Sequence, residues 1–243
     1  MFSSLAHAKY RRMHRLFLVE GAHAVEELLK SDWSVESVMA SDPDVYSGLF
    51  SSKRDTRIEQ VSQKDLNRIA TTTTPQDILA VAKIPENDLR NILLQDRILI
   101  ADGLRDPANM GTIIRTAAAF GFGAIITTAG SVDIFNPKVV RATQGAMFAI
   151  DIARRITIRE TLGRLHRSHT IYALSGEGDT DLQKIRIDHR AALIVGAEIA
   201  GVSEQLLQVS NHKVRIPIAI TVESLNAAVA AGIAMFLFSR SDI

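Results

Sequence analysis

Ile98-Leu-Ile-Ala101, followed after a short polar turn by Asp106-Pro-Ala-Asn-Met-Gly-Thr-Ile-Ile-Arg-Thr-Ala-Ala-Ala-Phe-Gly121, is the stretch on which the fold turns. An apolar strand-like run leads into a helix. Asp106 and Asn109 suit the exposed amides of a helix start, Pro107 suits a first turn, and the apolar residues that follow give the helix a face to bury. Arg115 stands alone on that helix, where an anion would be drawn. Working outward, Ala124 to Thr128, Thr170 to Leu174, Ala191 to Val195 and Val214 to Ile216 read as further strands. Helices are expected near 110 to 120, 137 to 143, 157 to 167, 203 to 209 and 224 to 238. This alternation predicts an α/β domain with a mainly parallel sheet and helices on both faces, its ligands at the carboxyl ends of the strands.

The first strand of this domain is not followed by Gly-x-Gly-x-x-Gly, and no Walker loop occurs, which argues against a dinucleotide fold or nucleotide-phosphate chemistry. The 243 residues suffice for one large or two moderate domains, and a formal net charge of +1 means that any attraction for nucleic acid rests on local clustering. There is no cysteine, and the seven histidines show no metal-type pairing with acids, so no bound metal is expected. No apolar segment reaches the about eighteen residues of a membrane span, and the opening lacks a signal-peptide core; a cytoplasmic protein is the expectation.

Ahead of the α/β domain, Phe17-Leu-Val-Glu-Gly-Ala-His-Ala-Val-Glu-Glu-Leu-Leu29 begins as a strand and continues at helical spacing. Val35 to Ala40 and Ile78 to Ala82 read as strands, and Lys64 to Ala70 as a short helix. A smaller α/β unit is implied, with a boundary near 84 to 96, giving domains 1–90 and 96–243. Lys9, Arg11, Arg12 and Arg15, with His7 and His14, form a basic stripe on an expected helix. Lys138 and Arg141, three apart, share one helical face. Each set reads either as a solvated face or as a contact to RNA phosphate, which needs only clustered cations.

Two later stretches, Ile194-Val-Gly-Ala-Glu-Ile-Ala-Gly-Val-Ser203 and Ile216-Pro-Ile-Ala-Ile-Thr-Val-Glu-Ser-Leu-Asn-Ala-Ala-Val-Ala-Ala-Gly-Ile233, join the opening one. In this order the three resemble the motifs of the SpoU-type RNA methyltransferases, the 2'-O-methylating branch of the knotted SPOUT superfamily. Asn136-Pro-Lys-Val-Val-Arg-Ala-Thr-Gln-Gly-Ala-Met-Phe148 resembles that family's connecting segment. Phe17 to Gly21 and Thr74-Pro-Gln-Asp-Ile-Leu-Ala80 resemble its N-terminal substrate-binding domain, which has a ribosomal-protein-like α/β/α fold.

The resemblance implies a trefoil knot in the C-terminal domain, a homodimer, S-adenosyl-L-methionine as cofactor, and RNA as substrate, ribosomal RNA ahead of transfer RNA. It assigns catalysis to Asn109, Arg115, Glu198, Ser224 and Asn226, and cofactor binding to the loops around Leu174, Gly196, Ile216 and Leu225. A guanidinium gives up its proton only in strongly alkaline solution. Arg115 is therefore expected to hold a target phosphate and to stabilise the developing alkoxide, with the proton acceptor left open. Ser224 is expected to cap the last helix, whose residues 227 to 238 are apolar all round and need cover from the same subunit or a second one.

Four positions depart from the family pattern. Ile199 and Ile220 stand where glycine is usual, Asp77 does likewise in the N-terminal domain, and Ala228 replaces a common serine. A β-branched residue in place of glycine forces a different backbone or fills space near the cofactor. These departures leave room for an RNA-binding module without catalysis, and methylation of a base nitrogen is a further alternative.

Overall fold

The structure is a computed structural model that describes residues 2–52, 57–86, 88–156 and 158–240. In chain order, α1 (Ala8–His14), β1 (Leu16–Glu20), α2 (Ala22–Lys30), β2 (Val35–Ala40), β3 (Ile58–Gln60), α3 (Gln63–Ile69) and β4 (Ile78–Lys83) come first. Then follow α4 (Leu89–Leu94), β5 (Arg97–Asp102), α5 (Pro107–Ala119), β6 (Ala124–Thr128), α6 (Pro137–Ala142), β7 (Asp151–Ile156) and α7 (Ile158–Leu165). The chain ends with β8 (Thr170–Leu174), β9 (Thr180–Asp181), β10 (Ala191–Gly196), α8 (Glu204–Val209), β11 (His212–Arg215) and α9 (Ala227–Ser239). Residue 157, the first position of the helix expected at 157 to 167, and residue 87, inside the expected boundary, lie outside the described residues.

The chain divides into two compact units, Met1–Glu86 with Asp133–Ala149, and Asn87–Val132 with Ile150–Ile243. In the first, four strands run in the order β1-β4-β2-β3; β4 is antiparallel to both neighbours, and β2 and β3 are parallel. Alternate residues of β1 serve opposite faces. Leu16 and Leu18 join Leu5, Met39, Leu66, Leu79 and Val81 in one core. On the other face Phe17 packs at 4.8 Å from Phe135, and Trp33 at 5.3 Å from Phe148.

The basic stripe does not survive folding intact. Arg11 is 2% exposed; its guanidinium pairs with Asp133 at 2.7 Å and donates to the carbonyls of Leu5 and Ala6. Every hydrogen-bonding edge of Arg11 is thereby engaged within the unit, and it is corrected from an RNA contact to a structural ion pair. Lys9 and Arg12 remain exposed, and Arg15 pairs with Glu86 at 3.0 Å on the surface.

The second unit is a seven-stranded sheet in the order β7-β6-β5-β10-β8-β11-β9, parallel at every pairing. One face buries Ile98, Ile100, Ile126, Ile171 and Ile194 against Ile92, Leu162, Leu165 and Leu206 from helices. The other carries α5 and α9, which pack together; a Cβ on Gly232 would touch the Thr116 methyl at 3.7 Å. Phe238 anchors α9 edge-on to Tyr172 at 5.2 Å. The expected mainly parallel sheet with helices on both faces is what forms. Among the described residues no helix is long and apolar enough to cross a membrane.

Two consequences are measurable. A Cβ on Gly196 would stand inside the contact limit of the Gly201 and Val202 backbone. Gly196→Ala therefore costs about 1–3 kcal/mol by forcing that backbone apart, seen as a lowered urea midpoint. His169, 5% exposed, has Nε2 at 2.7 Å from the Gln95 carbonyl and Nδ1 at 2.8 Å from the Ser168 hydroxyl. A carbonyl only accepts, so Nε2 carries a proton. Burial is the main cause that holds its pKa below the ordinary 6.5. The unfolded chain then binds a proton that the folded one refuses. This stability is complete above the unfolded value and is lost as pH falls through the folded one. Wild type loses more stability than His169→Gln on acidification from about pH 7.5 to 5.5.

Candidate active site

The order β5-β10-β8-β11 sets four carboxyl ends side by side, and the loops that follow those strands meet there. At the end of β5 the buried Asp102 accepts from the Thr128 hydroxyl at 2.7 Å and from the Ser203 amide at 2.8 Å. One carboxylate thus ties β5 to β6 and to the far side of the loop after β10. That loop is closed by paired backbone bonds between Ala197 and Gly201, at 3.1 and 2.8 Å.

Asp106 caps α5 by accepting from the Asn109 amide N–H at 2.8 Å. The Asn109 side chain is consequently free to face outward from the helix start. Its Nδ2 donates to Glu198 Oε1 at 2.6 Å, and its Oδ1 accepts from Asn226 Nδ2 at 3.1 Å. Asn226 Oδ1 in turn accepts from the amides of Ala228 and Val229, at 2.9 and 3.2 Å. Asn226, not Ser224, is therefore the cap of α9, because the helix starts one residue after it. An amide has one accepting and one donating end. Since the cap claims the oxygen of Asn226, its nitrogen must point at Asn109, whose own nitrogen is left for Glu198.

Beside this chain of side chains lies a cavity of about 210 Å³. Leu174, Gly196, Ile216 and Leu225 line it, and so do Glu198 and Ser224. Ser175, Gly176 and Glu223 also line it and were not singled out from the sequence; Glu223 adds a second carboxylate beside Glu198. Asp102 was missed as well, although its place at the carboxyl end of an apolar strand was a usable signal. Arg115 is exposed, and no hydrogen bond or ion pair joins it to any described residue.

The two isoleucines leave the cavity open. Ile199 and Ile220 are fully exposed, Ile199 at the rim and Ile220 outside the lining. Neither has a left-handed backbone; in the loop after β10 the positive φ, 65°, falls on Gly201. At both positions the backbone thus keeps a conformation open to any side chain, and Ile199 is itself part of the cavity lining. Asp77 likewise keeps an ordinary negative φ. Among the described residues, His23, Glu26 and Glu27 are a group with the side chains of a metal site, but Lys30 bridges both carboxylates at 2.8 and 3.0 Å.

This geometry has relatives. The profile of the SpoU rRNA Methylase family matches residues 96–236, and that of the MRM3-like substrate binding domain matches residues 2–80. The 23S rRNA (guanosine(2553)-2'-O)-methyltransferase RlmP of Bacillus subtilis is 35% identical, over 94% of this chain and 90% of its own. The 23S rRNA (guanosine-2'-O-)-methyltransferase RlmB of Haemophilus ducreyi is 31% identical over 76% of this chain and 79% of its own. The AdoMet-bound rRNA methyltransferase from Sinorhizobium meliloti superposes with a TM-score of 0.87 at 29% identity, covering 100% of this chain and 94% of that one. With its three motif loops gathered at neighbouring strand ends and a profile match over more than half its length, the chain belongs to the SpoU rRNA Methylase family.

Proposed function

We propose that the chain transfers a methyl group from S-adenosyl-L-methionine to a ribose 2'-hydroxyl of RNA, with ribosomal RNA preferred to transfer RNA. The observation that carries this reading is the hydrogen-bonded row Asn226, Asn109 and Glu198, which joins the starts of two helices to a carboxylate that lines the cavity. The site suits the cofactor chemically. Apolar side chains at Leu174, Ile216 and Leu225 offer cover for an aromatic base, and Glu198 and Glu223 bring negative charge to a cavity that would hold a cation. When bound, the cofactor supplies a methyl group on positively charged sulfur. A ligand of that size fills the cavity and extends beyond its mouth.

In this reading Arg115 binds the phosphate beside the target ribose and stabilises negative charge on the attacking oxygen, while Asn109 holds Glu198 in place. Ser224 and Asn226 shape the last loop. Lys9 and Arg12, with Lys138 and Arg141, meet the RNA backbone, and the division of labour is residues 1–90 for substrate and 96–243 for catalysis, the latter knotted as in its family. Arg15 contributes only when released from Glu86. No metal is assigned, because the sulfonium already activates the methyl group and the candidate cluster found among the described residues is held by Lys30. The protein works in the cytoplasm.

A homodimer completes the reading. Val229, Ile233 and Phe236 are 52%, 36% and 44% exposed, spaced four and three apart on one side of α9. A second subunit covers this stripe.

The test is transfer of labelled methyl groups to ribosomal RNA in a single turnover, with calorimetric binding of S-adenosylmethionine alongside. Arg115→Lys is expected to lower the rate by about a hundredfold with cofactor affinity unchanged. Absence of cofactor binding at millimolar concentration would instead leave an RNA-binding module. Ile233→Asp is expected to convert the dimer to monomer in sedimentation, and an undiminished dimer removes the α9 interface.

A further inference from the structure

A second cavity, of about 550 Å³, lies wholly within the first unit and includes no residue of the three loops that form the candidate active site. One wall is the loop from Thr71 to Thr74; the opposite wall is α6, with Lys138 and Arg141, followed by Gln144. Its volume is within the about 300–1,000 Å³ usual for a small-ligand site.

Of the residues that line this cavity, Lys138 and Arg141 bring positive charge and Glu20 the single carboxylate. Glu20 is already engaged, accepting from the amide and hydroxyl of Thr71 at 3.0 and 2.5 Å and from the hydroxyl of Thr72 at 3.1 Å. Glu26 and Glu27 are tied to Lys30. Against these, Lys138 is exposed and makes no ion pair with any described residue. Arg141 Nη1 is buried and has no hydrogen-bond partner. A buried guanidinium nitrogen without an acceptor is costly, and an anion in the cavity would satisfy it. Thr73 and Thr74 are exposed and have no side-chain hydrogen bond among the described residues, so each offers a free hydroxyl. Gln144 holds a left-handed backbone, φ 50°, in a position that side chains rarely accept.

We infer that this cavity seats one nucleotide of the substrate RNA other than the one methylated. Its phosphate lies against Lys138 and Arg141, and the edge of its unstacked base lies against Thr73, Thr74 and Gln144. A phosphate alone would leave most of the volume vacant, whereas hydroxyls and an amide facing a splayed-out base are the means by which single-stranded RNA is read. The inference rests on the RNA reading above and assigns that substrate a second, recognition contact.

The experiment uses the full chain and transcribed fragments of 23S ribosomal RNA carrying 4-thiouridine. Irradiation is expected to crosslink RNA to peptides containing residues 71–76 or 138–144. Thr73→Trp, which fills the cavity from an exposed loop, is expected to raise the RNA Kd about tenfold with an unchanged salt slope. Lys138→Ala is expected to reduce that slope by about 0.7, the share of one single-stranded phosphate. S-adenosylmethionine affinity should stay the same in both. RNA binding by wild type and both variants alike, or crosslinks only at other peptides, overturns the cavity assignment and leaves the methyltransferase reading standing. Failure of the wild type to bind RNA at all overturns both.

Discussion

The hydrogen bonding of β10 to β5 on one side and to β8 on the other governs the catalytic unit. Both pairings are parallel, so all three strands release their chains at the same end. The chain reaches β10 only after β8 has been laid down, yet β10 occupies the place next to β5. The loop carrying Glu198 must then emerge between the turn that starts α5 and the turn after Leu174. Asp102 secures the arrangement from within. Its carboxylate is buried, and the two groups that satisfy it come from different loops. Withdrawal of either would leave a buried charge short of a partner, at a cost of about 1–3 kcal/mol or more.

On that frame the site is ordered by the direction of amide groups. Capping of α9 by Asn226 is worth about 1 kcal/mol as helix stabilisation. Its larger effect is directional, because a capping oxygen leaves only nitrogen to face Asn109, and the same constraint passes on to Glu198. A residue that looks like a local helix signal thereby orients Glu198 through Asn109, which lies 117 positions from Asn226 and 89 from Glu198. The first unit uses its polar residues differently. Arg11 and Asp133 lock the connecting segment onto the unit, while Lys138 and Arg141 of the same segment are left without acids.

Much of the fold was legible because the central strands are buried on both faces and read as apolar runs. β6 and β8 coincide with the expected bounds, and α5, α6 and α8 lie within a residue or three of theirs. The strands that escaped notice, β3, β7 and β9, all lie at sheet edges. An edge strand needs no continuous apolar run, and β7 carries Asp151, Arg154 and Arg155. α4 was hidden in a charged stretch and is held by Ile92 in the core. The site residues Asn109, Glu198 and Asn226 were legible from motif order, whereas Asp102, Ser175 and Glu223 entered only through neighbourhood in space.

Residue types and their periodicity determined the alternating elements, the parallel sheet, the three loops of interest and the family to which they point. Only the tertiary structure decided which charges remain available. Arg11 and Lys138 are equally cationic as letters, but burial against Asp133 commits the first and solvent leaves the second free. It also decided where a positive φ falls, at Gly201 and not at Ile199. The reason is the same in both cases: solvation and backbone strain depend on neighbours brought together by the sheet, and those neighbours are distant in the chain.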